Sequence, residues 1–200
     1  MSDKEVRPLS PREPRSDAVA NRRRIVEAAR AELSSANGAT DDLRLHRVAK
    51  AAGIGQGTLY RHFPTREHLL AEVYRQELTE LVDAVGPLLA EHPPLRALEC
   101  WLDHLLAYAR VKRGVMAAIE ASTWEDLYSA QHHRLDDALD ELLARGRAAG
   151  EVREGIDATD VVLLLGALSR IPGPEWDTRA PTVVAMVVEG LRATPARGPG

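Results

Sequence analysis

Hydrogen-bond donors and tight turns are concentrated in one stretch, residues 48–70, which reads VAKAAGIGQGTLYRHFPTREHLL. Its only carboxylate is Glu67, and its glycines and proline imply two changes of chain direction. Arginine, tyrosine and histidine donors suit phosphate oxygens, and an amide such as Gln56 can pair with the edge of a base, most simply with adenine. The chemistry offered here is recognition of a nucleic acid.

Hydrophobic periodicity places this stretch on short helices. Apolar residues recur at helical spacing over residues 19–37, and a shorter apolar pattern marks a helix over 45–52. A third helix follows Ile54, with Leu59 and Phe63 facing inward. Gly53 is expected to adopt the positive φ of a sharp turn between the second and third helices. This arrangement is a helix-turn-helix, in which the second helix of the motif enters the major groove.

The candidate DNA contacts divide by chemistry. Gln56 can read a base edge, Gly57 permits close approach, and Thr58 offers a methyl group to thymine or a hydroxyl to phosphate. The side chains suited to phosphate are Tyr60, Arg61, His62 and Arg66. The alternative is that the motif is only a packed three-helix unit, in which Tyr60 buries its ring and no DNA is bound.

The segment RLHRVAKAAGIGQGTLYRHFPTREHLL resembles the DNA-binding motif of the TetR family of bacterial transcriptional regulators. The shared hallmarks are VA..AG, GTLY.HF and a basic residue before..LL, and the resemblance covers about residues 19–70. It implies that residues 56–58 approach bases and that Tyr60, His62 and Arg66 hold the backbone. It also implies that His46 and Arg47, on the first helix of the motif, reach phosphates or bases.

Two positions depart from the pattern of that family. Arg44 stands where threonine usually forms the N-cap, so Asp41 or Asp42 caps this helix instead, or the helix begins differently. Gly55 stands where serine is common, which removes one hydroxyl contact.

Charge is distributed unevenly along the chain. Residues 1–75 hold 14 Lys and Arg against 10 Asp and Glu, whereas the remaining 125 residues hold 12 against 20. The basic first third is therefore the part suited to a polyanion. Residues 1–17 are proline-rich and charged, which predicts a disordered arm whose arginines either touch DNA or form a solvated tail.

The rest of the chain is also predicted to be helical, so the fold class is all-α. Thr65 is a plausible N-cap for a helix over 65–85, and further helices are predicted over 95–113, 115–122, 124–149, 158–171 and 181–193. The predicted organisation is a disordered arm (1–17), a helix-turn-helix domain (18–64), a connecting helix (65–86), a ligand-binding and dimerisation domain (87–193) and a flexible tail (194–200).

Aromatic residues between the motif and the last helices suggest a small-molecule pocket. Four of the chain's eight aromatic residues lie on two segments, and aromatic walls with a few polar atoms suit such a site. The predicted pocket residues are Trp101, His104, Leu105, Tyr108, Met116, Ile119, Trp124 and Tyr128. The alternative is that they are core side chains with satisfied polar tips. The acidic balance of this part favours a neutral or cationic apolar ligand.

A single helix-turn-helix reads few bases, so a homodimer on a palindromic operator is expected. The resemblance places the interface on the last two helices, which are apolar around much of their circumference. The predicted interface residues are Val162, Leu165, Gly166, Leu168, Val184, Val187, Val188 and Leu191. The alternative is that these two helices are the core of a monomer.

The sequence also argues against other classes of protein. It shows no phosphate loop, nucleophile elbow or metal signature, so we expect no enzymatic activity, cofactor or metal; His132 and Asp136 lack a third ligand. No apolar run reaches the length of a membrane span, no signal peptide is recognised and Cys100 stands alone, which favours the cytoplasm. The predicted function is a transcriptional repressor released from its operator by a small molecule. The alternatives are an activator and a helical protein-interaction adaptor.

Overall fold

The computed structural model describes residues 14–35, 43–119, 125 and 132–193. Within these residues the regular structure is helical apart from an isolated β-bridge between Val152 and Arg192, and turns and short loops connect the helices. The α-helices are α1 (Pro14–Ser35), α2 (Leu45–Ala51), α3 (Gln56–His62), α4 (Arg66–Asp83), α5 (Val85–Glu91), α6 (Pro94–Ala118), α7 (His132–Ala148), α8 (Ala158–Leu165) and α9 (Trp176–Leu191). Short 3-10 helices cover Gly166–Arg170 and Gly173–Glu175. The prediction of an all-α fold is confirmed.

Helices α1 to α3 form an N-terminal head with its own share of the core. Ile25, Val48, Leu59 and Phe63 are each at most 1% exposed at its centre. Helix α1 begins at Pro14, four residues before the predicted domain boundary, and proline suits the first turn because its missing N–H is not needed there. The predicted helix end at residues 37 and 38 lies outside the described residues.

The turn between α2 and α3 has the predicted geometry. Gly53 has a φ of +66°, and its N–H donates to the carbonyl of Lys50 over 3.1 Å. The N–H of Ile54 donates to the carbonyl of Ala49 over 3.0 Å, which completes a Schellman motif and satisfies the last carbonyls of α2. A side chain at Gly53 would strain this left-handed conformation, so glycine sets the angle at which α3 leaves α2.

Helix α4 packs against both α1 of the head and α6 of the larger domain. Thr65 caps it as predicted, because its Oγ1 accepts a hydrogen bond from the N–H of His68 over 3.4 Å. The helix ends at Asp83, and α5 follows at once, so the predicted stop at residues 86 and 87 is wrong. Pro87 is the third residue of α5, where a helix needs no N–H donor.

Two predicted boundaries in the larger domain are also wrong. Helix α6 runs unbroken through Gly114, where the sequence suggested a division into 95–113 and 115–122. Glycine costs a helix only about 1 kcal/mol relative to alanine, and burial of the neighbouring Val111 and Val115 outweighs that penalty. Helix α9 begins at Trp176, whereas the predicted start was residue 181. Pro181 lies inside the helix, where the neighbouring Ala180 and Val184 are buried.

Helix α8 begins as predicted and ends early. Asp157 and Asp160 form a reciprocal capping box, with N–H to carboxylate distances of 3.0 and 3.2 Å. The predicted helix over 158–171 changes to a 3-10 helix at Gly166. None of the helices in the described ranges is long and apolar enough to cross a membrane.

Candidate nucleic-acid interface and ligand cavity

Helix α3 separates core residues from exposed donors. Leu59 and Phe63 point into the head, whereas Gln56, Gly57, Tyr60 and Arg61 lie on its exposed side. Tyr60 is 49% exposed, so its ring is not packed in the core as the alternative to DNA binding required. Thr58 and His62 are half-buried at the edges of this surface.

Nothing within the protein requires glycine at position 57. A Cβ built there would meet no atom within 4 Å, and the residue has no positive φ. The helix would tolerate alanine at this position, since alanine is the better helix former. The missing side chain therefore leaves open space on the outer surface of α3, where the backbone of a partner molecule can approach closely.

Arg66, at the first position of α4, carries unsatisfied donors beside this surface. Its Nε and Nη2 atoms are buried and have no hydrogen-bond partner among the described residues. Buried charged donors without acceptors are costly, and a phosphate oxygen at the start of α4 would supply the acceptor. The pKa of the adjacent Glu67 is lowered, first by a hydrogen bond from the Thr65 side chain and then by its own backbone N–H.

Helix α2 adds a second group of exposed side chains that carry N–H donors suited to phosphate. His46 and Arg47 are exposed, and Nη1 of Arg47 lies 3.0 Å from Oε1 of Glu32 on α1. Lys50 is exposed on the same helix and was absent from the predicted contacts, although its position next to Arg47 could have indicated it. Arg44 occupies the N-cap position without a side-chain cap bond, and the proposed capping residues 41 and 42 lie outside the described residues.

A cavity of about 360 Å³ lies between α6, α7, α8 and the 3-10 helix that follows α8. Of the predicted pocket residues, the structure brings together Leu105, Tyr108 and Met116 in its wall. The prediction missed the two cations of this wall, Lys112 and Arg113, because they interrupt an otherwise apolar pattern and resemble solvated residues in sequence.

The other predicted pocket residues lie elsewhere. Trp101 is fully buried in the core, where its indole N–H donates to the carbonyl of Leu81 over 2.9 Å, so for this residue the alternative of a satisfied core side chain applies. His104 lines a separate cavity of about 210 Å³ beside Glu77. Ile119 is buried and is not one of the wall residues of the larger cavity, and residues 124 and 128 lie outside the described residues.

Two tyrosines connect the cavity wall to α4. The hydroxyl groups of Tyr108 on α6 and Tyr74 on α4 are 2.9 Å apart, and their ring centroids are 5.7 Å apart. Both rings are buried. The Tyr74–Tyr108 pair is therefore a direct contact between the cavity wall and α4.

Ion pairs connect α4 in turn to α1 of the head. Nη2 of Arg22 lies 3.0 Å from Oε2 of Glu72, and Nε of Arg30 lies 2.5 Å from Oε1 of Glu77. Nη1 of Arg30 also reaches Oε2 of Glu80 at 2.7 Å. Burial raises the pKa of Glu77, and the charge of Arg30 opposes that rise. Helix α4 thus carries contacts to the cavity and to the head along one rigid element.

The predicted dimer residues mostly face inward. Six of them are buried within the protomer: Leu165, Leu168, Val184, Val187, Val188 and Leu191. Val162 is half-buried in the cavity wall, and Gly166 alone of the set is exposed.

The exposed apolar surface of α8 and α9 belongs to different residues. Leu163, Leu164 and Met186 are 72%, 57% and 68% exposed. Most of the predicted interface residues thus lie on the core-facing side of α8 and α9, because both helices are apolar around much of their circumference and the sequence pattern does not distinguish that side.

No group of three potential metal ligands occurs in the described ranges, and the side chain of residue 132 is not among those described. The candidate functional site has two parts. One is the donor surface of α2, α3 and the start of α4, and the other is the cavity that is joined to it through α4.

Comparison with known proteins agrees with this arrangement. Residues 25–73 match the model of bacterial regulatory proteins of the tetR family, and residues 93–193 match the C-terminal domain of SbtR-like transcriptional regulators. The crystal structure of the TetR transcriptional regulator SCO0520 from Streptomyces coelicolor is similar, with 36% identity and a TM-score of 0.74. The superposition covers 86% of this chain and 99% of that one.

Two further relatives extend the comparison. A TetR transcription regulatory protein from Mycobacterium vanbaalenii is 28% identical with a TM-score of 0.68, covering 89% of this chain and 98% of that one. The HTH-type transcriptional regulator SAB2452 from Staphylococcus aureus is 32% identical over 108 residues, which are 54% of this chain and 57% of that regulator. On the helix-turn-helix geometry and these matches together, the chain belongs to the TetR family of bacterial regulatory proteins.

Proposed function

We propose that the chain is a homodimeric transcriptional repressor that binds a palindromic operator and is released by a small molecule in the α6–α8 cavity. The observation that supports this most strongly is the outer surface of α3 and the start of α4. There, exposed donors surround the open space at Gly57, and the guanidinium of Arg66 has buried donors without an acceptor among the described residues. A DNA backbone supplies acceptors at this surface and fills the space.

Dimerisation is proposed through the exposed apolar surface of α8 and α9. Leu163, Leu164 and Met186 would be covered by the same residues of a second copy, as a self-complementary two-fold interface requires. A dimer places two copies of α3 on one duplex, with half-sites about 10 bp or a multiple apart. The paired arrangement supplies the affinity that one short recognition helix lacks.

Release is proposed to act through α4. A ligand that prefers one position of Tyr108 shifts the population of α4 positions, by as much as its affinity for the two states differs. The hydroxyl contact with Tyr74 and the ion pairs with Arg22 and Arg30 carry that shift to the head. The spacing of the two recognition helices then no longer fits the operator.

Selection of bound duplexes from a random pool tests the proposal. The wild-type chain should enrich a palindrome. Gln56→Ala should relax the preference at one position of each half-site, and Tyr60→Phe should weaken binding to all sequences alike. Arg145→Ala, an exposed arginine on α7, is the matched control and should behave as the wild type. Recovery of no consensus, or of a consensus indifferent to Gln56, contradicts the assignment.

The salt dependence of binding distinguishes this function from a helical adaptor. Neutralising phosphates releases counterions, so the affinity for DNA falls steeply with salt concentration, whereas protein–protein contacts show no such slope. Activation instead of repression depends on where the operator lies relative to a promoter. We propose that the chain works in the bacterial cytoplasm, where such operators are found, and that it catalyses no reaction.

A further inference from the structure

The wall of the α6–α8 cavity is mainly apolar, and its charged side chains in the described part of the chain are two cations. Its side chains are mainly leucine, valine, methionine and alanine, and Lys112 and Arg113 are its charged members. None of the wall residues that the structure describes carries a carboxylate. The acidic balance of the whole domain, which suggested a neutral or cationic ligand, therefore does not extend to the cavity.

Arg113 is held in place by an aromatic ring. Its guanidinium carbon lies 4.7 Å from the centroid of the Trp176 ring on α9, and the side chain is half-buried. The ring attracts the positive charge and restrains the guanidinium, whose N–H donors form a planar fork. A positioned guanidinium fork of this kind is suited to two oxygens of one carboxylate or phosphate.

Lys112, the neighbouring residue, is half-buried in the same wall. Burial lowers the pKa of its ammonium, because the charged form loses solvation. The hydroxyl groups of the wall are engaged within the protein: Tyr108 meets Tyr74, and Ser169 donates to the carbonyl of Gly166 over 2.7 Å.

We infer that the cavity takes an amphiphilic anion, whose carboxylate or phosphate lies at Lys112 and Arg113 and whose apolar body contacts Leu105, Met116 and Leu165. The inference rests on the proposed function only in treating this cavity as the effector site. Neither the helix-turn-helix nor the family match indicates the chemical class of the effector. The apolar body would lie against Tyr108, the residue that contacts α4.

Four ten-carbon probes test the inference on the full-length protein without DNA. Decanoate and decyl phosphate carry the anion, 1-decanol has the same chain without charge, and decyltrimethylammonium carries the opposite charge. In calorimetric titrations below micellar concentrations, at least one anion should bind about tenfold or more tightly than decanol, as a charged hydrogen bond contributes. The preference between decanoate and decyl phosphate then identifies the head group. Equal affinity for decanol and the anions, or a higher affinity for decyltrimethylammonium, overturns the inference. This test uses only the wild-type protein.

Charge-removing variants locate the head group. The double substitution Lys112→Met and Arg113→Met keeps apolar bulk and should abolish the preference for the anion over decanol. Arg96→Met is the matched control, because Arg96 is exposed on the same helix outside the cavity wall and pairs with Glu99. It should retain the preference. A preference that persists in a folded double variant contradicts the assignment of the two cations.

A separate measurement distinguishes failure of this inference from failure of the proposed function. The same probes are added to the protein bound to its selected duplex. An anion that binds the free protein but leaves the duplex bound supports the inference on the cavity and contradicts ligand-controlled release. Specific DNA binding without any preference for the anions supports the regulator and overturns the inference.

Discussion

The head and the larger domain present their functional chemistry in opposite ways. In the head the chemistry is on the outside: Gln56, Tyr60 and Arg61 project from a helix whose other side is packed tightly on Leu59 and Phe63. In the larger domain the chemistry lies in a cavity between helices, whose walls are mostly the same residue types as the core. An exposed polar surface on a short helix is visible in a sequence, whereas a gap between apolar helices is a property of how they pack.

This difference explains which predictions succeeded. The turn at Gly53, the cap at Thr65 and the inward Leu59 and Phe63 follow from local rules, so the head could be predicted in detail. The resemblance supplied the family, which the comparisons show. The roles of the individual DNA contacts stay predictions.

For the larger domain, the helix content and the fold class could be predicted from the sequence. The buried and exposed sides of its helices could not. Burial of Leu165 and Val188 and exposure of Leu164 and Met186 depend on which neighbours each helix meets. A helix that is apolar around much of its circumference does not encode that choice. Trp101 was taken for a pocket residue for the same reason. Predicting Lys112 and Arg113 as cavity residues would have required knowing that α6 borders a gap between helices.

The largest expected effect is on the interface of the larger domain. Leu164→Asp places a charge in the proposed seam and should convert the dimer to a monomer, measured by sedimentation velocity. Operator affinity should then fall toward the non-specific level, on the order of 10³-fold. Ala144→Asp, at an exposed position on α7, is the control and should leave both properties unchanged. A monomer that retains full operator affinity would show that the two regions act independently.

The next effect concerns the outer surface of the head. Arg66→Ala removes a proposed phosphate contact, so affinity should fall to a similar degree for all duplex sequences. The slope of log affinity against log salt should decrease by about 1. The measurement is a fluorescence anisotropy titration at several salt concentrations, with Arg145→Ala as the control. An unchanged slope would remove Arg66 from the interface.

Substitutions at two glycines of the head should affect protein stability and DNA binding separately. Gly53→Ala forces a side chain into the left-handed region and should cost about 1–2 kcal/mol of unfolding free energy. Gly57→Ala meets open space, so stability should be unchanged or rise by up to about 1 kcal/mol, while operator affinity falls. Urea unfolding and anisotropy measured on the same samples check both. Undiminished DNA affinity in Gly57→Ala would contradict close approach at this position.

The smallest effect concerns the junction between the regions. The pKa of Glu77 is raised by burial, so folding favours its protonated form. Its contribution to stability is therefore fully present below its ordinary pKa and is lost as the pH rises through the raised value. The free energy of unfolding of the wild type minus that of Glu77→Gln should decrease across that interval in urea titrations. Glu141→Gln, on an exposed side chain of α7, should show no such trend, and an increase in the difference for Glu77→Gln would contradict the assignment.

The most direct test of the account compares two duplexes. One carries the selected palindrome, and the other carries the same sequence with one half-site scrambled. We expect two chains to bind the palindrome together, and we expect the scrambled duplex to bind on the order of 10³-fold more weakly. The affinity for the palindrome should fall steeply as the salt concentration rises. Equal affinity for the two duplexes, or binding of a single chain without salt dependence, would contradict it.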